Sequence, residues 1–105
     1  MSEPITWIGY TTRYRGGGLL QPRAAQTLAS QQAGPVQVEA VETKRAFVDA
    51  MARLPAGGLR HLHFIGHAGM YGPMFGTVAR PEQLSPHEWQ SVRLPFVEGA
   101  EASFH

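Results

Sequence analysis

Three histidines stand close together past the middle of this chain of 105 residues, at positions 61, 63 and 67. An imidazole gains and loses its proton near neutral pH, so histidine is well suited to move protons under physiological conditions. His67 is the strongest candidate, because it follows an apolar run and lies in the segment Gly66-His67-Ala68-Gly69. The pattern predicts a catalytic histidine at the end of a strand; the alternative is a histidine that is hydrogen-bonded in a turn.

The residues around this histidine are typical of a cleft. Residues 59–66 predict a buried strand, and ligands of open parallel sheets bind beyond the carboxyl ends of the strands. Gly66 permits a sharp turn at that end, and Gly69 permits the close approach of a substrate. Tyr71 belongs to the glycine- and aromatic-rich loop that follows. We therefore expect Gly66, Gly69 and Tyr71 to line the cleft.

Strands and helices alternate along the chain. Apolar periodicity, together with proline, glycine and capping signals, predicts where they begin and end. The predicted strands are residues 5–10, 36–41, 59–66 and 100–104, and the predicted helices are residues 24–32 after Pro22, residues 43–54, and one that begins at Ser85. Such alternation is typical of a parallel sheet with helices on its faces. We predict one three-layer α-β-α domain over residues 1–105, with a mostly parallel sheet.

Composition excludes several classes of function. The formal net charge is +1 and no long basic run is present, so neither nucleic acid nor a membrane surface is expected as a partner. The chain has no cysteine, which excludes disulfides, thiolate metal sites and a cysteine nucleophile within these residues. The first residues lack the pattern of a signal peptide, and no apolar run reaches about 18 residues. A cytoplasmic location is therefore expected.

The element order and one short segment resemble the caspase-like cysteine peptidases, most closely their bacterial branch, the CHAT domains. In that family the third strand ends in a segment like His-Phe-x-Gly-His-Gly, and residues 63–68 read His-Phe-Ile-Gly-His-Ala. The family's fourth strand ends in Ala-Cys, and residues 100–105 resemble that strand up to the cysteine. The resemblance covers essentially the full chain by element order, and it implies a caspase-like fold with the sheet order 2-1-3-4.

The resemblance also implies roles for particular residues. His67 would be the general base, or the imidazolium partner that lowers the pKa of a cysteine thiol. The backbone N–H of Ala68, at a position where the family usually has glycine, would help to hold the oxyanion. The substrate would be a polypeptide, hydrolysed after acyl transfer to a thiolate, with no cofactor and no metal.

The nucleophile is the one part of this constellation that these residues lack. Ser85 is better explained as a helix cap, and Ser103 lies within the last predicted strand, so both are poor substitutes. We expect the chain to be the N-terminal part of a longer peptidase, or an inactive scaffold that works with a partner subunit. An incomplete domain would leave one side of the fourth strand uncovered, which favours low stability or self-association.

Three other interpretations stay open. Residues 66–70 resemble the Gly-x-Ser-x-Gly nucleophile elbow of the α/β-hydrolases, but Ala68 occupies the position of the serine nucleophile. A metal site at His61, His63 and His67 would require an early break in the strand, because the outer two lie about 20 Å apart along an extended chain. The alternative to a metal site is that His61 and His63 are partly buried strand residues with hydrogen-bonded rings. A non-enzymatic interaction module would use Tyr71, Met74, Phe75 and Trp89.

Overall fold

A parallel sheet with helices packed against it forms the framework of the protein. The computed structural model describes residues 3–12, 20–66, 68–69, 72–77, 79–92 and 94–104. Within these ranges the elements are β1 (Ile5–Tyr10), α1 (Leu20–Ser30), β2 (Val36–Ala40), α2 (Lys44–Arg53), β3 (Leu59–Ile65), β4 (Ala68–Gly69), β5 (Gly72–Pro73), β6 (Phe75–Gly76), β7 (Pro81–Glu82), α3 (Pro86–Ser91) and β8 (Phe96–Phe104). The four long strands pair in parallel in the order β2-β1-β3-β8. The predicted α/β class with a mostly parallel sheet is confirmed.

Helices pack on both faces of this sheet. On one face Ala25 of α1 packs against Ile8 of β1 and Ile65 of β3. On the other face the apolar stripe of α2 meets a larger core. Both faces of the central strands are covered, which explains why β1 and β3 are almost continuously buried. The buried members of the larger core are Trp7, Val41, Phe47, Ala50, Met51, Leu59, Leu62, Phe64, Phe75 and Leu84.

Helix α2 begins and ends within one residue of the predicted range 43–54, whereas α1 begins four residues and ends two residues before the predicted range 24–32. α1 begins at Leu20, which places Pro22 in its first turn, where a missing N–H costs no helical hydrogen bond. Thr43 caps α2, because its side chain accepts a hydrogen bond from the Ala46 N–H at 3.0 Å. Among the helices of the described ranges, none combines the length and the apolar character needed to cross a lipid bilayer.

The last strand begins earlier than predicted. β8 starts at Phe96, whereas the sequence predicted a strand over residues 100–104. Its pairing with β3 is interrupted, since Leu59 faces Phe96 but His61 faces Glu101. Residues 96–101 of β8, six in number, therefore lie opposite the three residues 59–61 of β3. Gly99 has a φ of 82°, a conformation that favours glycine, and such bulges hide the alternation by which a strand is recognised.

Two short strand pairs lie in the segment after β3, where the sequence predicted a loop. β4 pairs antiparallel with β5, and β6 pairs antiparallel with β7. Phe75 of β6 is fully buried, with its ring 5.5 Å from the ring of Phe64 and 5.7 Å from that of Phe47. The interpretation of Phe75 as an interface residue is therefore wrong, because the core already encloses its side chain. Tyr71, another member of that set, lies outside the described residues.

A hydrogen-bonded tryptophan joins the sheet to α2. The fully buried Trp7 donates its indole N–H to Glu39 Oε2 at 2.6 Å, across the pairing of β1 with β2. The other oxygen of this carboxylate accepts from Arg53 Nη2 at 2.7 Å, at the end of α2. Glu39 is 24% exposed, so the carboxylate serves a buried donor while remaining close to solvent. One side chain of an edge strand thus fastens three elements.

We expect Glu39→Ala to lower the free energy of unfolding by about 1–3 kcal/mol, because it leaves the buried indole N–H of Trp7 without its acceptor. Urea denaturation followed by tryptophan fluorescence measures the change. Asp49→Ala is the matched control, because the Asp49–Arg45 ion pair is largely exposed, and a change within about 0.5 kcal/mol is expected. Equal losses for the two variants would contradict the buried role of Glu39.

A capping box fixes the start of α3. The Glu88 N–H donates to Ser85 Oγ at 3.1 Å, and the Ser85 N–H donates to Glu88 Oε1 at 3.0 Å. The predicted role of Ser85 as a helix cap is confirmed. Lys44 Nζ approaches the same carboxylate at 2.9 Å, which links α3 to the first turn of α2. The hydrogen bond from the Ser85 backbone, followed by that from Lys44, lowers the pKa of Glu88.

This lowered pKa predicts a pH-dependent stability. A carboxyl group whose pKa is lower in the folded than in the unfolded state stabilises the fold above its unfolded pKa, and this contribution disappears as the pH falls through its folded pKa. Glu88→Gln should therefore lower the free energy of unfolding near neutral pH and have little effect in acid. Urea denaturation of both proteins across the acidic range measures the difference. A difference that stays constant with pH would show that the charge of Glu88 does not contribute.

Candidate functional site

The carboxyl ends of β1 and β3 meet at one edge of the sheet. Tyr10 faces Ile65 in the register of these strands, and the next residue, Thr11, donates its N–H to the Ile65 carbonyl at 3.3 Å. Gly66 follows directly, so the chain leaves the sheet beside the end of β1. His67 comes next and lies outside the described residues, and its catalytic role stays a prediction. The residues described around it, Thr11, Ile65 and Gly66, lie at the carboxyl ends of β1 and β3.

Thr11 and Gly66 are in close contact at this edge. A Cβ atom added to Gly66 would lie 2.7 Å from Thr11 Oγ1 and 3.1 Å from the Phe64 ring, which is too close for ordinary packing. Thr11 is fully buried, and its hydroxyl has no hydrogen-bond partner among the described residues. The structure gives a steric reason for glycine at residue 66, because the buried Thr11 side chain fills the space that a Cβ atom would need.

A carboxylate lies at the same edge, at the end of β2. Thr12 donates both its backbone N–H and its hydroxyl to Glu42, at 3.0 and 2.5 Å. The Glu42 carbonyl accepts from the N–H of Gly76 at 2.7 Å, which attaches β6 to the end of the sheet. The sequence reasoning missed Glu42, although its position just after a strand was a usable signal. These bonds hold the ends of β1, β2 and β6 together.

The segment that carries Ala68 and Gly69 turns back on itself. Ala68 faces Pro73, and Gly69 faces Gly72, in the β4–β5 pair. Gln83 donates its side-chain amide to the Gly72 carbonyl at 2.9 Å, which attaches β5 to the segment before α3. The backbone of Ala68 and Gly69 thus pairs antiparallel with Gly72 and Pro73, shortly after Gly66 in the chain. The predicted oxyanion role of Ala68 and the cleft-lining roles of Gly66, Gly69 and Tyr71 stay predictions.

The two histidines within β3 form a separate cluster. His61 and His63 lie on the same face of the strand, with their rings 3.8 Å apart and almost parallel. His61 Nε2 lies 2.9 Å from Ser103 Oγ on β8. His63 is 5% exposed, so both are partly or largely buried strand residues, and the hydrogen-bonded ring predicted for His61 is confirmed. In the described part of the chain, no three histidine or acidic residues gather as metal ligands.

Comparison of the chain with protein-family models, with curated proteins and with solved structures found no match. The structure nevertheless separates the sequence-predicted residues into two places. Gly66 lies at the carboxyl edge of the sheet and Ala68 and Gly69 belong to the β4–β5 pair that follows it, whereas His61, His63 and Ser103 share a face of β3 and β8. Ser103 is therefore directed to a histidine that the sequence reasoning treated as structural.

We expect Gly66→Ala to lower the free energy of unfolding by about 1–3 kcal/mol, because its Cβ would crowd the buried Thr11 hydroxyl. If this contact is the cause, the double variant with Thr11→Ala should lose less than the sum of the single losses, by about 0.5 kcal/mol or more. Urea denaturation measures all variants. Thr12→Ala is the control partner, because the Thr12 side chain bonds Glu42, and additive losses are expected with it. Additivity for both pairs would contradict the contact.

Proposed function

We propose that these residues are the histidine-bearing portion of a caspase-like cysteine peptidase of the CHAT type. The observation that carries the proposal is the position of Gly66 at the joined carboxyl ends of β1 and β3. This is the position at which the resemblance expects the strand before the catalytic histidine to end. The next residue in the chain is His67, which the proposal assigns as the general base or the imidazolium partner of a thiolate.

The sheet order adds support to this assignment. The order β2-β1-β3-β8 is the order that the resemblance implies for its four strands. The same order also begins the flavodoxin-like doubly wound sheets, so topology alone defines only the broader class. The segment His-Phe-Ile-Gly-His-Ala at residues 63–68 is what favours the caspase-like fold within that class.

The proposed chemistry is acyl transfer to a cysteine thiolate. His67 takes the thiol proton, the sulfur attacks the peptide carbonyl carbon, and the N–H of Ala68 donates to the resulting oxyanion. The C–N bond then breaks as the imidazolium returns a proton to the leaving amine, and water hydrolyses the thioester. Since these residues contain no cysteine, the thiol has to come from elsewhere in the protein or from a partner subunit. Gly66, Gly69 and Tyr71 would line the polypeptide-binding cleft.

We also propose a cytoplasmic location for this protein. A reactive thiolate is kept reduced in the cytoplasm, so we place this bacterial-type hydrolase there. The proposed substrate is a polypeptide, and the proposed reaction involves no cofactor, nucleic acid or membrane. The second candidate is a catalytically inactive interaction domain of the same fold, which gains support if no cysteine follows residue 105 in the native protein. A fragment of an α/β-hydrolase is less well supported, because Ala68 has no nucleophilic group.

The test begins with the reading frame beyond His105. If the frame continues and encodes a cysteine soon after β8, the extended protein should react with an electrophilic peptide probe at that cysteine. His67→Ala should slow this labelling by about 100-fold or more, because the thiol loses its general base or ion-pair partner. Intact-mass measurement over time gives the labelling rate.

His87→Ala is the matched control for this experiment. His87 is an exposed histidine on α3, so its loss should leave the labelling rate unchanged. Labelling of His67→Ala at the rate of the unchanged protein would exclude the proposed role of His67. A native protein without any downstream cysteine would exclude a peptidase formed by this protein alone, and would leave the interaction domain or a subunit that takes its nucleophile from a partner chain.

A further inference from the structure

The contact between Ser103 and His61 has the geometry of a nucleophile and its base. Ser103 Oγ lies 2.9 Å from His61 Nε2, within the range of a strong hydrogen bond. A serine hydroxyl is a weak nucleophile unless a neighbouring group takes its proton, and an imidazole nitrogen at this distance is the commonest group to do so. The contact joins β3 to β8, two strands whose sequences lie far apart.

The His61 ring is held in place on its other side. The ring of His63 lies 3.8 Å away at an angle of 11°, so the two imidazoles are stacked. His63 is 5% exposed, so its buried ring covers one face of the half-buried His61 ring. A general base is effective when a third group orients it, and stacking restricts the rotation of this ring. The half-buried position of Ser103 leaves part of its side chain open to an approaching reagent.

A groove lies further along the same face of the sheet, beyond His63 and about 13 Å from His61 along β3. It has a volume of about 320 Å³ and is lined by Ala24, Thr27, Leu28, Gln31 and Ile65. Ile65 follows His63 by two residues on one strand, so the groove begins roughly 7 Å further along the same face. Its lining is mainly apolar, with two polar side chains from α1. An apolar chain attached at Ser103 would extend past His63 towards this groove.

We propose that Ser103 is a nucleophile with His61 as its general base, and that this pair accepts acyl groups from esters of short apolar carboxylic acids. Ser103 Oγ attacks the ester carbonyl carbon while its proton passes to His61 Nε2. The carbonyl then re-forms, the bond to the alcohol oxygen breaks, and the alcohol takes the proton from His61. Water, activated by the same imidazole, hydrolyses the new ester on Ser103. The site is independent of His67 and needs no cysteine.

The first experiment uses p-nitrophenyl butyrate as the acyl donor. The protein should gain one butyryl group, and peptide mapping should place it on Ser103. Ser103→Ala should abolish this adduct, and His61→Phe, which keeps an aromatic ring but has no base, should slow its formation about 100-fold. Ser91→Ala and His87→Phe are the matched controls on α3, where both side chains are exposed, and neither should change the labelling of Ser103.

A second experiment tests the base without depending on the stability of the His61 variant. Because the chain has no cysteine, Ser103→Cys and Ser91→Cys each introduce a single thiol. At neutral pH iodoacetamide should alkylate Ser103→Cys about tenfold faster than Ser91→Cys, because His61 takes the thiol proton as the carbon–sulfur bond forms and iodide leaves. Equal alkylation rates, or butyryl groups spread evenly over Ser91 and Ser103, would overturn the proposal.

Discussion

The buried indole of Trp7 is the interaction on which the rest of the fold depends. Its ring lies directly over Gly9 of the same strand, where any Cβ would collide with it. One edge of the aromatic cluster begins here, with the Phe47 ring of α2 at 5.8 Å. The N–H has one acceptor, Glu39, on the neighbouring strand. Only a few arrangements let a large ring with a single polar group pack against Phe47 and also donate to Glu39. The Trp7 ring therefore sets how β1, β2 and α2 lie relative to one another.

The position of β1 then determines the edge that carries the candidate site. β1 pairs with β2 on one side and β3 on the other, so its carboxyl end is the common reference for both. Tyr10 accepts from the Val41 N–H at 2.8 Å, just as Thr11 donates to Ile65 across the other pairing. The two hydrogen bonds from Thr12 to Glu42 link the chain beyond β1 to the chain beyond β2, one residue after Thr11. A catalytic group that follows Gly66 would therefore start from a rigid support, as positioned chemistry requires.

Local signals made much of this fold predictable, and non-local ones did not. The strand over residues 5–10, the helix within residues 43–54 and the capping residue Ser85 follow from hydrophobic pattern and side-chain hydrogen bonding within a few residues. The sheet order could be expected only through the resemblance to a family, because it depends on contacts between distant segments. The same limit applies to the candidate sites: Gly66 was marked by its own sequence, whereas Glu42 acquires its partner Thr12 only when the strands assemble.

The register of β8 shows how one local irregularity decides which chemistry a sheet face carries. If the pairing of Leu59 with Phe96 continued without interruption, His61 would face Glu98. Three additional residues at the bulge instead bring Glu101 opposite His61 and Ser103 opposite His63. Because side chains alternate between faces, an odd displacement also exchanges the two faces of the strand. The positive φ of Gly99 accommodates this displacement, so a glycine beside which a Cβ atom would meet only open space sets which side chain the histidines meet.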